Sequence, residues 1–391
     1  MHMRRWRLRA GWLWWWLMAL AAPLAAQQGV VELCPAAGIV ARSSDFQPGG
    51  IILTAFDSAA LWVYDIDRNT RYPLPETVPC TTNCRLSPDA AWITYLEPRT
   101  LVFHKMRLTG TERTAIAGEA ADVLWWNPTT LLVWTPDHRA YLQVEGTAAE
   151  TRQFLPVAQS VSVQPGGYWA VGLDWQNELF QRVLVNLEPR LAAGGRPPAD
   201  ETRISLAPDT PYFNQQAWSP DGRWLAYVGR GAVDARIGSA GAEIFFIQPG
   251  SAIPEQGTFF SQTGAVRLGG LAPGSLSWSP DGTRLAFWAM PLNGPDPATN
   301  AGAATLYLLD MATRRLTRYC GYSTAEHTPN PPRLAWSPDG THIAFAGNVA
   351  GDARGALLLA LNVADGTLTE LSVGIAPALG RPDVYAWGRR P

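Results

Sequence analysis

Trp218-Ser219-Pro220-Asp221-Gly222 is followed, after two residues, by Leu225-Ala226-Tyr227. The arrangement returns at Trp278-Ser279-Pro280-Asp281-Gly282 with Leu285-Ala286-Phe287, and at Trp336-Ser337-Pro338-Asp339-Gly340 with Ile343-Ala344-Phe345. The strand-forming triplet keeps its distance from the tryptophan in all three copies, so a whole supersecondary unit is repeated. Proline presets φ for the second position of a type I turn, Ser and Asp bond nearby backbone N–H groups, and Gly takes the positive φ that closes a hairpin. Each pentapeptide therefore predicts a turn between two antiparallel strands. The tryptophan ahead of the turn supplies a large apolar surface for burial against a neighbouring sheet. The Trp, Pro, Asp and Gly residues of the three turns are read as structural, because packing needs them in every repeat and a single active site does not.

Weaker copies extend the series toward the N-terminus: Phe46-Gln47-Pro48-Gly49-Gly50, Leu86-Ser87-Pro88-Asp89, Trp126-Asn127-Pro128 and Val163-Gln164-Pro165-Gly166-Gly167. Tyr385-Ala386-Trp387-Gly388 is a partial copy at the other end. The residues before the turns, 46, 86, 126, 163, 218, 278, 336 and 387, are spaced by 40, 40, 37, 55, 60, 58 and 51. The shortest spacings match the ~40–45 residues of a four-stranded propeller blade. Further strands read at Leu61–Ile66, Glu243–Ile247 and Leu306–Asp310, then at Arg71–Leu74, Arg315–Tyr319 and Thr367–Leu371. The expectation is an all-β propeller of seven four-stranded blades, with six and eight as the alternatives at its ends. Val384 to Trp387 is expected to close the ring on the first blade or beside Val30 to Leu33.

The run Trp-Ser-Pro-Asp-Gly, two residues, then Leu-Ala-Phe, with Leu306-Tyr307-Leu308-Leu309-Asp310 and Ala312-Thr313-Arg314-Arg315-Leu316-Thr317 after it, resembles the WD40-like (PD40-type) propeller repeat of the TolB family. It is also similar to the propeller halves of prolyl oligopeptidases. The resemblance covers residues 40–391 and is strongest over 214–391. It implies an interaction platform and says little about the ligand. TolB proteins carry six blades and an additional N-terminal α/β domain. About a dozen residues separate the leader from the first repeat here, so the expectation is a propeller without that domain.

Arg4, Arg5, Arg7 and Arg9 precede the apolar stretch Gly11–Leu20, and Ala21–Ala26 offers small residues for cleavage before Gln27. That is the layout of a secretory signal, with an uncleaved membrane anchor as the alternative. The division is therefore a leader at 1–26, an N-terminal segment at 27–39 and one propeller domain at 40–391, secreted or held in the cell envelope. A net charge of −2, with Lys105 the only lysine, gives no basis for a nucleic-acid partner. A membrane is expected as a partner only through an uncleaved leader.

Cys34, Cys80, Cys84 and Cys320 are an even set for an oxidising compartment. The simplest pairing is Cys80–Cys84 with Cys34–Cys320. A metal site is the rival, but the histidines after the leader, His104, His138, His327 and His342, are scattered. No metal or cofactor is expected. Gly321-Tyr322-Ser323-Thr324-Ala325 imitates a nucleophile elbow but lacks the final glycine and the strand-to-helix context, and no catalytic residue is assigned.

Connections between strands two and three, and those between blades, emerge on one face. The long ones, 229–241, 289–303, 321–332 and 347–355, carry Arg230, Asp234, Arg236, Asn293, Asp296, Asn300, Tyr322, His327, Asn330, Asp352 and Arg354. Loops on a rigid scaffold are where binding residues concentrate. The sequence therefore reads as a non-catalytic platform for a protein, peptide or glycan on this face of the last three blades. The alternative is a lactonase-, lyase- or glycosidase-like propeller enzyme with its site at the central channel.

Overall fold

The computed structural model describes residues 29–35, 39–40, 46–55, 61–74, 84–89, 91–97, 99–116, 119–136, 139–144, 150–153, 159–176, 179–189, 202–208, 215–270, 274–325, 330–349, 352–353, 355–371 and 383–388. The leader, Cys80, His138, His327 and Arg354 lie outside them. Among the described residues, every strand belongs to one of seven sheets.

From inner to outer strand, blade 1 is Asp383–Gly388, Ile51–Ala55, Leu61–Asp65 and Thr70–Pro73. Blade 2 is Arg85–Leu86, Trp92–Glu97, Val102–Arg107 and Thr114–Ala115. Blade 3 is Asp122–Asn127, Thr130–Trp134, Arg139–Val144 and Glu150–Gln153. Blade 4 is Gln159–Val163, Trp169–Gln176, Leu179–Asn186 and Arg203–Pro208. Blade 5 is Gln216–Trp218, Leu225–Asp234, Ser239–Ile247 and Glu255–Gln256. Blade 6 is Leu276–Trp278, Arg284–Pro291, Thr305–Asp310 and Leu316–Tyr319. Blade 7 is Ala335–Trp336, His342–Gly347, Leu357–Asn362 and Leu368–Glu370.

The innermost strands of blades 2 to 7 and then of blade 1 touch in succession. Seven buried apolar clusters fill the seven interfaces, one between each pair of neighbouring blades, including blades 1 and 2. Side chains alternate across a strand, and the repeated triplet uses that alternation. Leu285 and Phe287 face blade 5 while Ala286 faces blade 7; Ile343 and Phe345 face blade 6 while Ala344 faces blade 1. A large residue on one side and alanine on the other lets the sheets approach closely.

The turns match their spelling. Trp224 N–H donates to Ser219 Oγ at 2.9 Å, Ser219 Oγ donates to Asp221 Oδ1 at 2.6 Å, and Arg223 N–H donates to Asp221 Oδ1 at 3.1 Å. The same set recurs at Ser337 and Asp339, and at Ser87 and Asp89. Gly222, Gly282 and Gly340 have φ of 68°, 69° and 70°.

Both chain ends lace the ring. Asp383–Gly388 pairs antiparallel with Ile51–Ala55, so the partial copy at Trp387 and the first copy at Phe46 belong to one blade. Val30–Leu33 does not accompany it. That strand adds in parallel to the outer edge of blade 6 at Leu316–Tyr319, and Ile39–Val40 adds in parallel to blade 7. Cys34 and Cys320 form a disulfide across this strap with Cα atoms 4.9 Å apart. Cys84 is also disulfide-bonded.

Candidate functional site

Strands run antiparallel within each blade, so the start of every innermost strand lies at the same end of the ring as the connections between second and third strands. Around the channel mouth this end carries Arg85, Asp122, Gln215, Ser275, Arg333 and Asp383. Arg333 Nη1 donates to Asp383 Oδ2 at 2.6 Å, its backbone N–H donates to Oδ1 at 3.2 Å, and its guanidinium lies 4.1 Å from the Tyr385 ring centre. Blade 7 is thereby clasped to the C-terminal strand. Between blades 5 and 6, Gln215 donates to the Gly270 carbonyl and Ser275 Oγ donates to Gln215 Oε1 at 2.9 Å. Arg85 stands 3.5 Å from Asp122, whose carboxyl is pushed above its ordinary value by burial, against the opposing effects of Arg85 and the Val123 N–H.

The segment 229–241 is no loop. The second and third strands of blade 5 continue outward as a ladder in which Gly229 faces Glu243, Arg230 faces Ala242 and Asp234 faces Ser239, with a bulge between Arg230 and Val233. Arg230 is exposed on this hairpin. At its tip Arg236 donates to Asp234 through Nη2 at 2.6 Å, Nε at 2.9 Å and the backbone N–H at 3.0 Å. The Arg236 side chain, then its backbone N–H, with a smaller contribution from the Ala265 N–H, lower the Asp234 carboxyl to about 2. The hairpin thus leans on the segment leading into blade 6.

The blade 6 connection closes on itself. Asn293 N–H donates to the Asn300 carbonyl at 3.0 Å, while Asp296 accepts from Ala298 N–H at 2.9 Å and Thr299 Oγ1 at 2.8 Å. These bonds hold Asp296 below the ordinary carboxylate range. Arg267 reaches across to the Pro297 carbonyl at 3.3 Å.

Tyr322 is a brace. Its hydroxyl accepts from Leu306 N–H at 2.6 Å and donates to the Tyr319 carbonyl at 3.2 Å, and its ring meets Trp288 and Phe345 edge to face. Burial raises its pKa. Next to it, Ser323 and Asn348 exchange backbone hydrogen bonds at 2.7 and 2.8 Å, joining the connection into blade 7 to that blade's own outer turn. Asn330 is exposed and Asp352 half-buried.

The structure therefore joins Asp234 to Arg236, and Asn293 to Asp296 through Asn300. Sequence reasoning missed the channel-mouth set. Gln215, Ser275 and Arg333 each stand three residues before a repeat tryptophan, and that equivalence was the available signal. Among the described residues no group of three or more His, Cys, Asp or Glu side chains is placed to hold a metal ion.

No protein-family model and no curated protein sequence matches the chain. Among solved structures, the β-propeller domain of the trilobed protease from Pyrococcus furiosus superimposes with a TM-score of 0.51 at 12% identity, covering 83% of this chain and 94% of that one. The fold is a β-propeller. TolB from Acinetobacter baumannii is also similar, with a TM-score of 0.42 at 13% identity over 93% of this chain and 97% of that one. The Pyrococcus domain is described as having an open velcro topology; in the present propeller the C-terminal strand is stitched into blade 1.

Proposed function

We propose that the propeller is a non-catalytic binding platform, secreted or held in the cell envelope, that receives a protein, peptide or glycan on the elaborated face of blades 5 to 7. The carrying observation is the bracing of that face: the hairpin tip closed by Arg236 on Asp234, the 293–300 connection bonded to itself and to Arg267, and the Ser323/Asn348 bridge. A surface ordered before binding loses less conformational freedom when it binds. The Cys34–Cys320 disulfide supports placement in an oxidising compartment.

The test is a crosslinking pull-down from the envelope fraction with wild type and with a variant in which 231–239 is replaced by a two-residue turn. A partner captured by wild type and lost from the variant supports the platform; a partner kept by both moves the site off the blade 5 hairpin.

A second reading, a propeller enzyme acting at the channel, draws on Asp122, a carboxyl held toward its protonated form at the channel mouth beside Arg85. Turnover in a panel of lactone and glycoside substrates that is abolished by Asp122→Asn would favour it over the platform.

A further inference from the structure

Apart from its disulfide, the first strand of the N-terminal strap is held to the ring by a four-residue backbone ladder and by little side-chain burial beyond Leu33. Val30 and Val31 are 47% and 40% exposed, so this four-residue strand buries little apolar surface. The Glu32–Arg318 pair spans 2.6 Å, but its side chains are 57% and 42% exposed, and pairs of that kind contribute little. At the start of the strap an open cleft of about 320 Å³ is lined by Gly29 and Val30 of the strap and by Phe259, Phe260, Gln262, Thr263 and Leu316 of the ring. The covalent bond between Cys34, which is exposed, and Cys320, which is half-buried, closes the end of this short ladder.

We infer that Cys34–Cys320 is the latch of an exchangeable strand. When a dithiol reductant opens it, the outer edge of blade 6 becomes an acceptor for a parallel strand, and the occupant it fits is the strap of a second copy of this chain. Reduction transfers two electrons and two protons from the dithiol, which leaves as its own disulfide while Cys34 and Cys320 become thiols. The receiving edge is Leu316–Tyr319, in a register that sets Val30 against Leu316 and Leu33 against Tyr319. A second copy brings the same Val-Val-Glu-Leu-Cys sequence, so every pairing of the closed form, the sulfur pair included, is available between molecules. Reoxidation by a disulfide such as oxidised glutathione then forms Cys34–Cys320 between two chains, releasing two equivalents of the reduced thiol.

Two complementary variants test this, Cys34→Ser and Cys320→Ser, each in a Cys80→Ser/Cys84→Ser background and each confirmed as a folded monomer by tryptophan fluorescence and gel filtration. They are mixed under oxidised glutathione, and the crosslinked species are mapped by mass spectrometry. The expected result is a heterodimer linked Cys34 to Cys320 in at least tenfold excess over either homodimer. Crosslinks at the random proportion, or none, overturn the inference. Should the background variant fail to fold, the same two substitutions with Cys80 and Cys84 retained give the same readout. Amide exchange on the wild-type chain is the second measurement. Reductant should accelerate exchange at least tenfold at Val30–Leu33 and Leu316–Tyr319 while blades 2 to 4 stay protected; unchanged protection at the strap overturns the latch.

Discussion

The indole Nε1 of Trp336 donates a hydrogen bond of 2.9 Å to the carbonyl of Ser277, the residue before the equivalent tryptophan of the preceding blade. Trp278 does the same to Ala217 at 3.0 Å and Trp218 to Ser162 at 3.3 Å. In blade 3 the donor is Trp125, bonded to Arg85 at 3.2 Å, one residue earlier than the repeat would place it because a bulge shifts that strand. The indole thus packs the interface and gives a second hydrogen bond to a carbonyl that already pairs with the second strand of its own blade. Trp336→Phe keeps most of the packing and removes this second bond while the Ser277 carbonyl keeps its partner in the ladder, which should cost about 0.5–1.5 kcal/mol. Trp336→Ala should cost about 3–5 kcal/mol. Urea unfolding of both variants separates the two contributions, and equal losses would show that the hydrogen bond adds nothing.

Gly222 and Gly282 share a positive φ but not their surroundings. A Cβ on Gly282 would meet nothing nearer than Asp221 Oδ1 at 3.7 Å, whereas one on Gly222 would come within 2.5 Å of the Pro165 carbonyl of blade 4. Gly282→Ala should cost about 1–2 kcal/mol for the left-handed backbone alone. Gly222→Ala should cost measurably more, because backbone must move. Denaturant midpoints of the pair decide this, and equal midpoints would refute the clash.

Ending the chain at Pro382 removes the innermost strand of blade 1 and leaves the edge of Ile51–Ala55 unpaired at the channel. The truncated protein should be insoluble or aggregate, as open apolar edges do. Asp383→Asn, which keeps the strand and weakens the Arg333 clasp, should remain soluble with a lower melting temperature. Solubility after expression and a thermal scan check both outcomes.

Acid should weaken the ring in two stages. Burial holds His342 below its ordinary value, against the raising effects of Asp339 and Asp365. The unfolded chain therefore binds more protons here, and stability falls as pH drops below about 6.5 until the folded His342 also titrates. For Asp339 burial is the largest single effect and acts upward, but the bonds from Ser337 and Thr341, helped by His342, outweigh it and leave the carboxyl lowered; Asp281 is lowered in the same manner. Their contribution is complete above about pH 4 and is lost as pH falls through the lowered values. Unfolding free energies measured from pH 7.5 to 2.5 should show both stages, and His342→Gln should abolish the upper one only.

The fold was legible because its determinants are local and repeated: proline and glycine at fixed offsets from a tryptophan, then a large-small-large triplet. Legibility failed where the determinant was a distant partner. Nothing in Val30–Leu33 says that it pairs with residues 286 positions away, and nothing in Gly229–Gly241 distinguishes a loop from the ladder it forms. Topology alone fixes which connections share a face with one another. Tyr322 illustrates the remainder: a polar aromatic in a glycine-flanked loop reads as a contact residue, and its hydroxyl is already spent on Leu306 and Tyr319.

The two-ended lacing bears on how the chain acquires its shape. The strap's receiving strand is made nearly three hundred residues after the strap itself, and the inner strand of blade 1 is made after the other described strands. No partial product can hold a finished circle, so the early blades must persist with open flanks until the final segment emerges. Such long-range pairing makes for slow assembly and a prolonged need for protection by chaperones. Circularity here depends on residues more than three hundred positions apart.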